Sequence, residues 1–150
     1  MKTFVVPIDF SAVTDHVVET AVSLAHALDG KIVLVHVIQP PVVTSEYGLP
    51  VEALQEAITV SEQAAVKHLA RLEAHVGKSN VTVSTALRHG PPVVGILEEA
   101  DKAQADFIVM GSHGHGKLYD LLVGSTATGV LKRARCAVVI LPPEAKPKQK

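Results

Sequence analysis

The chain has 150 residues, 47% of them hydrophobic, 19% charged and 3% aromatic, with a formal net charge of −1. That length supports one domain with its own core, while balanced charge and only two Tyr, three Phe and no Trp exclude a nucleic-acid binder that relies on a positive field or on base stacking. One cysteine, Cys136, excludes an internal disulfide framework and points to a reducing compartment.

The first strand is predicted over Phe4–Ile8, where Pro7 and Asp9 cut the apolar run far short of a secretory core. Val17, Ala21, Leu24, Ala25 and Leu28 then form a helical stripe, with Ser11 as its N-cap and Gly30 as its stop. A second strand is predicted over Ile32–Ile38. The segment Gln39–Pro50, with Pro40, Pro41, Gly48 and Pro50, reads as a long loop beside a site. Leu54, Ile58, Ala65, Leu69 and Leu72 mark a long helix ending near Gly77, followed by a third strand over Val81–Leu87. A third helix starts after Pro91 and Pro92 and carries Ile96, Leu97, Ala100 and Ala103. The fourth strand covers Phe107–Met110, a last helix follows Gly124 through Val130 and Leu131, and the fifth strand covers Ala137–Leu141.

Several strands are continuously apolar rather than alternating, the pattern of strands buried on both faces of a parallel sheet. Strand–helix alternation therefore predicts a three-layer α/β fold. One domain is expected over residues 1–143. From Pro142 onward, prolines mixed with Lys146, Lys148 and Lys150 predict a disordered, solvated tail over 144–150. No run reaches the ~18 apolar residues of a membrane span, so a cytoplasmic protein is expected, with no membrane and no nucleic acid among its partners.

Open α/β sheets bind ligands beyond the carboxyl ends of their strands, where strand order reverses. The first strand runs into Pro7-Ile8-Asp9-Phe10-Ser11, and the fourth into Gly111-Ser112-His113-Gly114-His115-Gly116-Lys117. Glycines there let backbone amides approach an anion, and Gly124-Ser125-Thr126 adds hydroxyls and amides at a helix start. Taken singly, Asp9 reads equally as a helix cap and the glycines as turn residues. Gly111–Leu118 mimics a P-loop, but Leu118 replaces the hydroxyl that holds magnesium, so a P-loop NTPase is rejected.

His113-x-His115 and the pair His68 and His75, two helical turns apart, lack a Cys or carboxylate to complete a metal set, and no metal is expected. His36, inside an apolar strand, reads as a core or near-site histidine with a satisfied ring, and His16, His26 and His89 as surface or helix-face residues. Cys136 reads as inert packing. No Ser-His-Asp set can be assembled, and no catalytic residue is named.

Taken together, these residues resemble the universal stress protein family over nearly the whole chain. Its signature G-x2-G-x9-G-[ST] appears as Gly111, Gly114, Gly124 and Ser125, beside Pro7-x-Asp9-Phe10-Ser11 and Val35-His36-Val37. One departure is Ala137, where the family often has Pro. The resemblance implies a five-stranded parallel sheet of order 3-2-1-4-5, with strands one and four adjacent, and places the chain in the ATP-binding branch. It implies that Asp9 meets the ribose or adenine side and that the Pro7 and Val37 backbone holds adenine. It further implies that Met110 and Gly111 through Lys117 (Ser112, His113, Gly114, His115 and Gly116 between them) wrap ribose and phosphates. Gly124, Ser125, Thr126 and Ala127 would then bind phosphate, with magnesium held through the phosphates.

With so few aromatic residues, adenine is expected against aliphatic strand ends and the phosphates on backbone amides. With Asp9 engaged by the sugar end, as the resemblance implies, no obvious water-orienting base is left, and at most slow hydrolysis is expected. In that strand order Ala137–Leu141 is an uncharged edge, which predicts a homodimer. The implied function is ATP-dependent regulation in a stress response. The alternatives are an interaction module with an empty or AMP-occupied site, recognising partners through Gln39–Pro50, and a small hydrolase acting on nucleotides or phosphoesters.

Overall fold

The computed structural model describes residues 1–40, 50–113 and 123–143. Five strands and four helices alternate: β1 (Lys2–Pro7), α1 (Thr14–Ala27), β2 (Gly30–Ile38), α2 (Val51–Gly77), β3 (Thr82–His89), α3 (Pro92–Lys102), β4 (Phe107–Gly111), α4 (Ser125–Arg133) and β5 (Ala137–Leu141). All pairings are parallel, in the order β3-β2-β1-β4-β5. The order expected from the family resemblance is the one observed.

Each central strand is apolar on both sides because both sides are covered. Phe4, Val6, Ile32 and Leu34 face α1 and α2, and Phe4 stacks on its register partner Phe107 with ring centroids 4.9 Å apart. Val5, Val33, Val35, Ile108 and Met110 face the opposite layer, with Ile96 of α3 and Val130 of α4. At roughly 1.5–3 kcal/mol per fully buried Val, Leu, Ile or Phe, these two layers dominate the fold's favourable free energy. They also leave the strand ends little freedom to move.

Three expectations need correction. Gly30 does not stop the first helix. That turn is made by Asp29 in a left-handed conformation (φ 51°), while Gly30 begins β2 with the Phe4 ring standing where its Cβ would be. Leu28 is 45% exposed, past the end of α1 and outside its buried stripe. Helix α2 ends at Gly77, as expected, and the turn after it is made by Asn80 (φ 58°). Finally, β3 continues through Arg88 and His89, paired with Val37 and Ile38, although their polar side chains end the apolar run at Leu87. Backbone pairing extended the strand where side-chain polarity gave no sign of it.

The edge strand β5 is as expected: Ala137 is exposed and Val138 through Leu141 are half-buried. Most of Gln39–Pro50 and the whole 144–150 tail lie outside the described residues. No helix among the described residues is long and apolar enough to cross a membrane.

Candidate functional site

Because β2 and β3 lie on one side of β1 and β4 and β5 on the other, the chain departs in opposite directions from the ends of β1 and β4. A crevice has to open there. It is a cleft of about 480 Å³.

Past β1 the Ile8 amide donates to the Val35 carbonyl at 2.8 Å, which holds the chain to β2 for one more residue. Phe10 then takes a left-handed backbone (φ 60°), a sterically costly choice for an aromatic residue. Its ring lies against those of His36 (4.5 Å) and His68 (4.8 Å). The His36 ring is itself anchored through Nδ1, which donates to the Ile8 carbonyl at 2.7 Å. His36 is thus a satisfied near-site histidine, as expected. Asp9 Oδ1 accepts the Ser11 amide at 2.9 Å, so this carboxylate closes the turn rather than capping the helix. Ser11 is not an N-cap either: its carbonyl takes the Thr14 amide at 3.1 Å, and Val13 is the cap residue, with no side-chain cap bond.

Across the cleft, β4 ends in Gly111, and the Ser112 amide donates to the Leu141 carbonyl at 2.8 Å. Ser112 is buried, and its hydroxyl lies 2.9 Å from His113 Nδ1. Gly124 returns to the same place, its amide donating to the Ser112 carbonyl at 2.7 Å. Helix α4 starts immediately after it with no side-chain cap. The amides of Ser125, Thr126 and Ala127 thus occupy the first turn, where no intrahelical acceptor exists, at the positive end of the helix dipole. A phosphate fits such a set of donors.

The described residues expected to contact the nucleotide all line this cleft: Pro7, Asp9, Val37, Met110, Gly111, Ser112, His113, Gly124, Ser125, Thr126 and Ala127. Gly114, His115, Gly116 and Lys117 lie outside the described residues, as does the rest of the P-loop look-alike. Among the lining residues that sequence reasoning missed are Thr14 and Val17 of α1, Ser61 of α2, and Pro92 and Ile96 of α3. Only Pro92 carried a local signal, as a helix-opening proline directly after a strand. Phe10 is absent from the lining, its ring engaged by the two histidines.

The histidine pair on α2 does not converge. His68 packs on Phe10, whereas His75 Nε2 meets Glu19 Oε1 at 2.7 Å. His89, at the end of β3, meets Glu62 at 2.6 Å. Among the described residues no group of three or more His, Cys, Asp or Glu is arranged to hold a metal. Cys136 lies away from the cleft, in a second hollow with Arg133 and Arg135 before β5. Burial, then the charges of Asp101 and Asp106, push its thiol above the ordinary range.

The universal stress protein family model matches residues 1–142. The chain belongs to this family. Universal stress protein MJ0531 of Methanocaldococcus jannaschii is 31% identical over 144 residues, spanning 93% of this chain and 81% of that one. Among solved structures, the universal stress protein UspA from Lactobacillus plantarum superposes with a TM-score of 0.81 at 24% identity, over 93% of this chain and 97% of that one. A universal stress protein in complex with cAMP gives a TM-score of 0.71 at 21% identity, over 95% of this chain and 98% of that one. The universal stress protein from Archaeoglobus fulgidus in complex with dAMP gives 0.64 at 21%, over 93% and 97%. At these identities the structures speak to the fold.

Proposed function

We propose that this universal stress protein binds an adenine nucleotide, ATP foremost, in the cleft between the ends of β1 and β4, and acts through its bound state as a cytoplasmic regulator in stress response. The observation that carries this reading is the convergence of two unlike ends. The uncapped first turn of α4 stands on one side and the carboxylate of Asp9 on the other. An anion suits the first and a hydroxyl-bearing sugar the second, and a nucleotide supplies both. The cAMP and dAMP complexes of the two structural neighbours support an adenine nucleotide in this fold.

In this reading the base lies against aliphatic strand ends near Pro7, Val37 and Met110. Ribose and phosphates meet Asp9, Gly111 and the Ser112–Lys117 loop, and the terminal phosphates reach Gly124 through Ala127. Magnesium arrives on the phosphates, since no described carboxylate cluster would hold it first. With Asp9 engaged by the sugar end, turnover is slow. The chain acts as one domain over 1–143, and the uncharged edge β5 pairs with that of a second copy.

Mass spectrometry of the denatured purified protein, followed by calorimetry with ATP and AMP, tests the ligand. Co-purified nucleotide or saturable ATP binding is expected, and binding of neither nucleotide would overturn the reading. Preference for AMP over ATP would instead favour the second reading, a monophosphate-occupied interaction module, which the monophosphate ligands of the two neighbours support. Light scattering tests pairing: a monomer at micromolar concentration would refute the dimer.

A further inference from the structure

Two buried side-chain atoms among the described residues have no hydrogen-bond partner, Ser11 Oγ and Thr14 Oγ1, and both belong to the turn between β1 and α1. Burying a hydroxyl without a partner costs about 1–3 kcal/mol, so an unpaired one in a native fold calls for an explanation.

Thr14 is the sharper case. It is the first residue of α1 and the first of its buried stripe, which continues through Val17, Val18, Ala21, Val22 and Ala25. It is only 8% exposed, yet it lines the cleft together with Val17 one turn later. The remainder of the stripe is aliphatic, and valine would match threonine's shape at this place without a hydroxyl to satisfy. Three other helical hydroxyls find a local acceptor: Thr20, Ser23 and Thr59 each donate to the carbonyl four residues before, at 2.9, 3.1 and 2.9 Å. At the start of its helix, Thr14 makes no such bond. Its oxygen is buried without a partner, and the residue lines the same cleft as Asp9.

We infer that Thr14 Oγ1 is a ligand-recognition group that hydrogen-bonds a sugar hydroxyl of the bound nucleotide. The inference rests on the nucleotide reading above. The carboxylate of Asp9 in the same turn disfavours a phosphate there and suits a sugar hydroxyl, which can donate to a carboxylate and accept from threonine. The first turn of α4 then remains the anion end of the cleft. Thr14 thereby sets a preference for ribonucleotides over analogues lacking the sugar hydroxyls.

The test compares wild type, Thr14→Val and Thr14→Ser, with ATP by calorimetry and with 2′,3′-dideoxy-ATP by competition against labelled ATP. Thr14→Val is expected to weaken ATP by about threefold to tenfold and dideoxy-ATP by less than about twofold, and Thr14→Ser to stay within about twofold for both. Without nucleotide, Thr14→Val is expected to melt at or above the wild-type temperature, because an unpaired buried hydroxyl has been removed. Equal weakening of both nucleotides, ATP affinity within about twofold of wild type in Thr14→Val, or a lower melting temperature of that variant would each overturn the assignment. Failure of wild type to bind ATP would overturn the nucleotide reading and this assignment with it. Intact binding that Thr14→Val leaves unchanged would overturn this assignment alone.

Discussion

The Gly124 amide donates to the Ser112 carbonyl at 2.7 Å, and a Cβ on Gly124 would stand 3.0 Å from that same oxygen. One contact therefore ties the start of α4 to the end of β4 and demands the smallest residue. The backbone of Gly124 (φ −70°, ψ 170°) is open to any residue, so close approach rather than conformation makes the demand. Gly124→Val must push α4 off β4, at a cost of about 1–3 kcal/mol. It is expected to lower the melting temperature modestly and to weaken ATP at least about tenfold, since the donor amides move with the helix. Calorimetry beside thermal melting checks both, and unchanged ATP affinity would refute the placement of the phosphate.

Helix α3 is pressed on the other wall. A Cβ on Gly95 would stand 2.8 Å from Val37 Cγ2 and 3.1 Å from Cγ1, both atoms of a stiff β-branched side chain. Alanine gains about 1 kcal/mol over glycine in helix propensity, but overpacking costs about 1–3 kcal/mol, and with no flexible neighbour to yield, the overpacking wins. Gly95→Ala is expected to destabilise by about 1 kcal/mol. In the Val37→Ala background the same change should be neutral or stabilising, and denaturant unfolding of the four-member cycle reads that coupling.

Arg88 holds two carboxylates of very different character. Its Nε donates to Glu99 at 2.8 Å and its Nη1 to Glu98 at 2.9 Å, with side-chain exposures of 8% for Glu99 and 59% for Glu98. Arg88→Ala leaves a buried carboxylate uncompensated and is expected to cost about 3 kcal/mol. Glu98→Ala removes an exposed partner and is expected to cost less than about 1 kcal/mol. Similar losses in urea unfolding of the two variants would contradict this ranking.

The raised thiol of Cys136 predicts sluggish chemistry and a pH trend. At neutral pH the thiolate fraction is below that of a free cysteine, so labelling by a disulfide reagent should be slower than for the unfolded chain. The folded state holds the proton more tightly than the unfolded one. The resulting stabilisation is full below the ordinary thiol range and is lost as pH rises through the folded-state value. Cys136→Ala should flatten that alkaline decline, and an identical decline in both proteins would assign it to other groups.

How far the sequence could be read is clearest strand by strand. Ala137–Leu141 was legible to the residue because a short apolar run has few alternatives, and Gly111 and Gly124 marked one side of the crevice. The end of α1 was misread where a non-glycine residue, Asp29, adopts the left-handed turn in place of the neighbouring Gly30. Asp is among the few non-glycine residues that take this conformation readily, but the adjacent glycine takes it more readily still, so local preference pointed one residue too far.

By itself the sequence determined the layer order of the fold and the chemistry gathered at the strand ends, because continuous apolar runs must be covered on both faces and glycine-rich ends must admit something close. Only the tertiary structure decided which distant side chains complete the cleft. Thr14, Ser61 and Ile96 come from three different helices. The sequence also held no sign that the Thr14 hydroxyl lacks a partner. Burial and hydrogen bonding depend on what else packs at a point in space, and the order of residues along the chain does not state that.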